Sequence, residues 1–256
     1  MGGLVRNLGA LDFAGGTVVH VTAGFSALAF ARAIGPRRWF GRAPMEPHNI
    51  PFTVLGAGLL WVGWFGFNGG SALAANGLAT YALVNTNTAA AAAGLVWMFL
   101  TWQDNKPSVL GFVTGAVVGL VAITPASGFV TPLASIIIGA LAAPISFYAM
   151  RFRQRSKLDE SLDVWACHGM GGAWGALATG LFATKMVNEA GADGLFYGNP
   201  GQFLVQALAL GAAILFSFGV TFVLAKGLNA LLGLRVTPNE EEVGLDISEH
   251  GEQAYA

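Results

Sequence analysis

Long apolar runs constrain this chain more than any other feature. A helix needs about 20 predominantly apolar residues to cross a bilayer. Seven stretches qualify: 13–33, 50–69, 78–102, 109–124, 131–150, 163–183 and 201–233. In hydrocarbon every backbone N–H and C=O must find a partner within the protein, which commits such a chain to helices. Only 11% of the 256 residues are charged and 54% are hydrophobic, against roughly 25% charged in soluble domains. The expected fold is therefore all-α, a polytopic membrane helical bundle with seven transmembrane helices. Residues 1–234 form its transmembrane domain, and the polar, acidic 235–256 a tail outside the bilayer. Thr124-Pro-Ala-Ser-Gly128 separates the fourth and fifth spans, as Pro and Gly punctuation suggests.

Orientation follows from the basic residues, which favour the cytoplasmic side. Arg32, Arg37, Arg38, Arg42, Lys106, Arg151, Arg153, Arg155, Lys157, Lys226 and Arg235 all fall on one side of this arrangement. Only Arg6 and Lys185 fall on the other. The chain then starts outside and its tail is cytoplasmic, in a cell (inner) membrane. Met1 leads into a stretch without a basic n-region, so no cleavable signal peptide is expected.

Against this background two histidines stand out. His20 sits in Asp12-Phe-Ala-Gly-Gly-Thr-Val-Val-His20-Val-Thr-Ala-Gly24, and His168 in Glu160-Ser-Leu-Asp163-Val-Trp-Ala-Cys-His168-Gly-Met-Gly-Gly172. In both, an acid lies eight residues before the histidine and a glycine four after it. Asp12 is placed to cap the first span and Asp163 stands at the start of the sixth. The two spans run in opposite directions, the trace an inverted-topology repeat leaves, with its site near the midplane. Eight helical residues rise about 12 Å, so both imidazoles reach deep and can meet. Each could serve as one interhelical hydrogen bond; as a pair they could relay a proton, since imidazole donates at one nitrogen and accepts at the other. An ionisable group at this depth points to function.

At the outer end of the second span, Trp61 reads as an interfacial aromatic. Phe67 and Ser71 share one helical face, and an aromatic face with a hydroxyl acceptor suits a small cation carrying N–H donors. His48 reads as a solvated or capping residue. Lys226 near the cytoplasmic end reads as a snorkelling lysine rather than a Schiff-base site. Cys167 is the single cysteine, which excludes an internal disulfide and a cysteine-based metal site. No hydrolytic or phosphate-binding motif is present, so no enzyme, cofactor, metal or nucleic-acid function is expected. The tail reads either as a solubilising end or, through Gly244-Leu-Asp-Ile247, as a docking segment.

Asp12-Phe-Ala-Gly-Gly-Thr-Val-Val-His20, Trp64-Phe-Gly-Phe-Asn-Gly-Gly-Ser71, Gly111 to Gly128, the Cys167-His168-Gly169 region and Gly244 to Gly251 together resemble the Amt/Mep/Rh ammonium transporters over nearly the whole chain. The resemblance implies that His20 and His168 are the paired histidines of a hydrophobic pore. It makes Phe67 an aromatic gate, Ser71 part of an outer ammonium site, Trp64 and Val164 pore-lining residues, and Asp12 a structural acid near the outer site. It further implies transport of ammonium or ammonia, a homotrimer, and a PII-type regulator (the GlnK class) at the cytoplasmic face. In the family's inverted repeat this sequence begins just before the fifth span, so roughly four helices of the first half would precede it. Rival expectations are an ammonium sensor that signals through the tail, or spans that insert without completing a pore. The short tail favours transport over sensing.

Overall fold

The computed structural model describes residues 3–104 and 106–253. Its principal helices fall on the seven apolar stretches. α1 opens as a π turn, Gly16–Val21, and continues as Thr22–Ile34. α2 is Ile50–Gly70, α3 Gly77–Asp104, α4 Val109–Ile123 and α5 Pro132–Arg155. α6 repeats the form of α1, a π turn Trp165–Met170 continuing as Gly171–Phe182, and α7 is Pro200–Leu232. Side-chain caps fix several starts: Asn49, Ser108 and Thr131 accept from the N–H groups of Phe52, Gly111 and Ala134. Proline opens α2, α5 and α7, where its missing N–H costs nothing.

Seven spans were expected, but among the described residues five helices are long and apolar enough to cross a membrane, and α4 and α6 are not among them. α4 has 15 residues and rises only about 22 Å, short of a hydrocarbon core of about 30 Å. The chain beyond it, 124–130, is fully buried rather than a surface loop. Irregular backbone is tolerated at such depth only where protein satisfies it. Asn85 Nδ2 donates to the carbonyls of Ser127 and Val130 at 2.8 and 2.7 Å. The N–H groups of Phe13 and Thr184 donate to the carbonyls of Pro125 and Phe129 at 3.0 and 2.9 Å.

α6 lies at the centre, touching α1, α4, α5 and α7, while α3 packs on α4 and α5. Small residues allow these close approaches where lipid removes the hydrophobic drive between helices. A Cβ on Gly119 or Gly139 would lie 2.4 or 2.2 Å from the Ala89 carbonyl oxygen, so α3 is pinched from both sides. α2 and α7 are the least covered, with 6% and 17% of their most apolar segments buried.

The tail is ordered. Thr237 and Glu240 form a capping box that starts α8, Pro238–Val243, and α9 follows as Leu245–His250. The Arg38 N–H donates to Glu241 at 2.7 Å, and its guanidinium pairs with Glu242 at 2.6 Å. Arg235 bridges Glu241 and the Ile34 carbonyl. The acidic tail is thereby held to the segment that leaves α1.

Candidate functional site

The spacing His-x-x-x-Gly acquires its meaning where α1 and α6 cross. A Cβ on Gly24 would lie 2.2 Å from the Gly169 nitrogen, directly after His168. A Cβ on Gly172 would lie 3.2 Å from His20 Cβ and the Gly16 carbonyl. Each glycine, four residues past its own histidine, admits the opposite helix at its histidine. Both histidines also sit inside π turns, local distortions that recur at functional sites.

This crossing brings the imidazoles together. His20 Nδ1 and His168 Nδ1 are 3.3 Å apart, so one nitrogen carries the shared proton and the other accepts it. His20 is 5% exposed, and its Nε2 is buried with no hydrogen-bond partner among the described residues. The Trp64 indole stacks on His20 at 5.1 Å between centroids and 23° between planes, with the Phe67 ring 6.0 Å away. Trp64 Nε1 donates to Thr124 Oγ1 at 2.9 Å.

Two cavities flank the pair. The first, about 530 Å³, is lined by Val19, His20, Leu59, Gly63, Trp64 and Phe67 together with Gly56 and Leu60. The second, about 310 Å³, is lined by His168, Cys167, Leu162, Thr53 and Thr114 among others, and again by Gly56 and Leu60. α2 therefore forms a common wall along both. Val164 is half-buried, and Leu162, two residues earlier, lines the second cavity.

The acids act on the helix starts. Asp12 sits three residues ahead of Gly15, which is the N-cap of α1, so it is not itself the cap residue. Its carboxylate nonetheless accepts from the N–H groups of Gly15, Gly16, Thr17 and Val18 at 2.6 to 3.2 Å. Glu160, its counterpart eight residues before His168, accepts from Leu162 and Trp165. Asp163 has φ +54°, a conformation L residues rarely adopt, and takes Arg153 Nε at 2.6 Å. In the loop before it, burial raises the Asp159 carboxyl, but Arg37 overrides this with its backbone N–H, two side-chain N–H groups and its charge. Asp159 is thus held below the usual carboxylate range.

At the far end of α2, Ser71 Oγ donates to the Phe67 carbonyl at 2.8 Å, and Phe67 is 41% exposed. Trp61 is half-buried, and its Nε1 has no hydrogen-bond partner among the described residues. Lys226 reaches the Ala33 carbonyl at 3.2 Å. No group of three or more His, Cys, Asp and Glu able to hold a metal occurs among the described residues. Sequence reasoning missed Thr124, Thr53, Thr114, Gly56 and Leu60. Only Gly56 and Gly63, seven apart in an apolar helix, carried a signal of an open face.

A family model described as Ammonium Transporter Family matches residues 1–255. This chain belongs to the ammonium transporter family. It is 54% identical over 254 residues to the ammonium transporter Amt1 of Archaeoglobus fulgidus, covering 99% of the chain and 64% of that relative. With the Bacillus subtilis ammonium transporter it shares 51% identity, covering 99% and 63%. The chain thus spans less than two thirds of these relatives. Among solved structures it resembles Candida albicans Mep2, with TM-score 0.87 and 39% identity over 93% of this chain and 55% of that one. A structure described as a Sensor Amt Protein matches with TM-score 0.89 and 35% identity, covering 97% and 62%. As a member of this family the chain is a multi-pass membrane protein.

Proposed function

We propose that this chain carries the conduction path of an ammonium transporter. Ammonium is taken at an outer mouth beside Ser71 and Phe67, gives up its proton, and crosses as ammonia past His20 and His168. The observation that carries this reading is the 3.3 Å imidazole pair set between two cavities that share one apolar wall. An apolar path penalises an ion far more than a neutral molecule, so the proton must leave before the narrow region. The faces of Phe67 and Trp64 attract a cation at the entrance. Past them, an imidazole bonded through Nδ1 keeps Nε2 for an N–H of ammonia, and the shared Nδ1 proton offers a relay. Asp12 supports the mouth by fixing the start of α1.

In this reading the chain begins outside and the tail lies in the cytoplasm of a cell with the protein in its inner membrane. The protein assembles as a homotrimer, and the ordered tail face receives a PII-type regulator. The test is ammonium-evoked current and internal alkalinisation in proteoliposomes holding the protein as its gene expresses it. His20→Ala and His168→Ala should each lower the rate at least tenfold or admit K⁺. Unchanged rate and ion selectivity in both variants would remove the imidazoles from the mechanism.

A further inference from the structure

We propose that Thr124 is a positioning residue, holding the Trp64 indole in the plane that sets the His20 imidazole; this rests on the conduction reading above. Hydrogen-bond valence decides which atom donates. An indole nitrogen can only donate, and a threonine hydroxyl has one hydrogen to give. Thr124 Oγ1 gives its hydrogen to the Leu120 carbonyl at 2.7 Å, which leaves its lone pairs for Trp64 Nε1 at 2.9 Å. The donor and acceptor roles are therefore fixed, and with them the azimuth of the indole. Thr124 is fully buried and Trp64 is 8% exposed, so no water competes for the bond.

The neighbouring tryptophan on α2 supplies the contrast. Trp61 Nε1 is buried and meets no protein acceptor among the described residues, so burial in this helix does not by itself place a side-chain or backbone acceptor at an indole. The one that stacks on His20 has been given one. The support is also shared. A Cβ on Gly16, which opens the π turn holding His20, would lie 2.2 Å from Pro125 Cδ, so that turn rests on the residue after Thr124. The Phe13 N–H bonds the Pro125 carbonyl from the same side. Indole and imidazole, on different helices, are thus registered against one buried dipeptide. Asn85 fixes that turn from behind through Ser127 and Val130. Thr124 touches neither cavity; it acts through Trp64.

The test uses the protein as its gene expresses it. Thr124→Val keeps the shape and removes the acceptor, and Thr124→Ser restores it. Ring-labelled NMR reads the histidines, with His20 assigned by its loss in His20→Ala. Thr124→Val should move the His20 ring signals and lower ammonium-over-K⁺ selectivity roughly threefold to tenfold, the weight of one neutral hydrogen bond. Thr124→Ser should return both. In a Trp64→Phe background, Thr124→Val should add no further loss. His20 signals that stay in place in Thr124→Val, or an equal loss with Trp64 already gone, would overturn the proposal. A wild-type protein that carries no ammonium would instead sink the conduction reading, and the His20 signals would still decide the role of Thr124.

Discussion

The glycine at the crossing of α1 and α6 sets the distance on which the histidine pair depends. In Gly24→Ala the new Cβ would stand 2.2 Å from the Gly169 nitrogen and 2.3 Å from its Cα, both backbone atoms that no rotamer change can move aside. Ordinary contact begins near 3.4 Å, so the helices must part by about 1.2 Å at this point. The imidazoles lie beside the contact, and their 3.3 Å separation would open past 4 Å, beyond hydrogen-bond reach. Overpacking of this kind costs about 1–3 kcal/mol, a fall of several degrees in unfolding temperature for a chain of this size. Two measurements separate the effects: thermal unfolding in detergent, and imidazole ¹⁵N NMR for the shared Nδ1 proton. The expected variant folds, unfolds earlier, loses the shared proton and conducts at least tenfold more slowly. A Gly24→Ala protein that kept the Nδ1 coupling and the wild-type rate would refute the reasoning, because the clash leaves no room for both.

Other consequences are as definite. Gly56 walls both cavities, and a Cβ there meets nothing within 4 Å; Gly56→Val should leave thermal stability unchanged while cutting ammonium flux at least tenfold, read in proteoliposomes. Asp12→Asn keeps one acceptor oxygen and turns an NH₂ toward N–H groups at the start of α1, costing about 1–3 kcal/mol, measurable as a lower unfolding temperature. Asp159 is depressed in the folded protein, so its stabilisation is full above its ordinary value of 3.8 and disappears as pH falls through the lower folded value. The protection factor against hydrogen exchange in residues 35–38, the rate referred to the intrinsic rate at each pH, should therefore be flat from pH 8 to pH 5 and fall only below about pH 4, while Asp159→Asn should be poorly protected throughout. Glu241→Ala removes the acceptor shared by Arg38 and Arg235 and should release α8 and α9 to exchange without changing the unfolding temperature of the membrane helices.

The helices could be read from the sequence because lipid leaves the backbone one solution, and the apolar runs mark where it is taken. The histidine frames were also legible: the acid eight residues ahead serves the helix start and the glycine four behind lets the opposite helix in, so both keep a fixed spacing to the histidine. The partner of Trp64 left no such trace. Thr124 is 60 residues away, and a threonine in a Thr-Pro-Ala-Ser-Gly turn advertises the turn and not the indole it serves. The order of the tail depended on partners at Arg38 and Ile34, some 200 positions earlier, which no local composition announces.

The buried turn after α4 bears on how the molecule is made. Its carbonyls are met by Asn85, which precedes it, and by Thr184, which the ribosome supplies more than 50 residues later. α4 and α5 therefore enter the membrane as a hairpin in which the Phe129 carbonyl stays unmet until the chain has been synthesised past α6. During that interval the tip needs water, a headgroup or the insertion machinery as a stand-in. Release of this chain into lipid is thus tied to the arrival of α6, the same helix that brings His168 to His20.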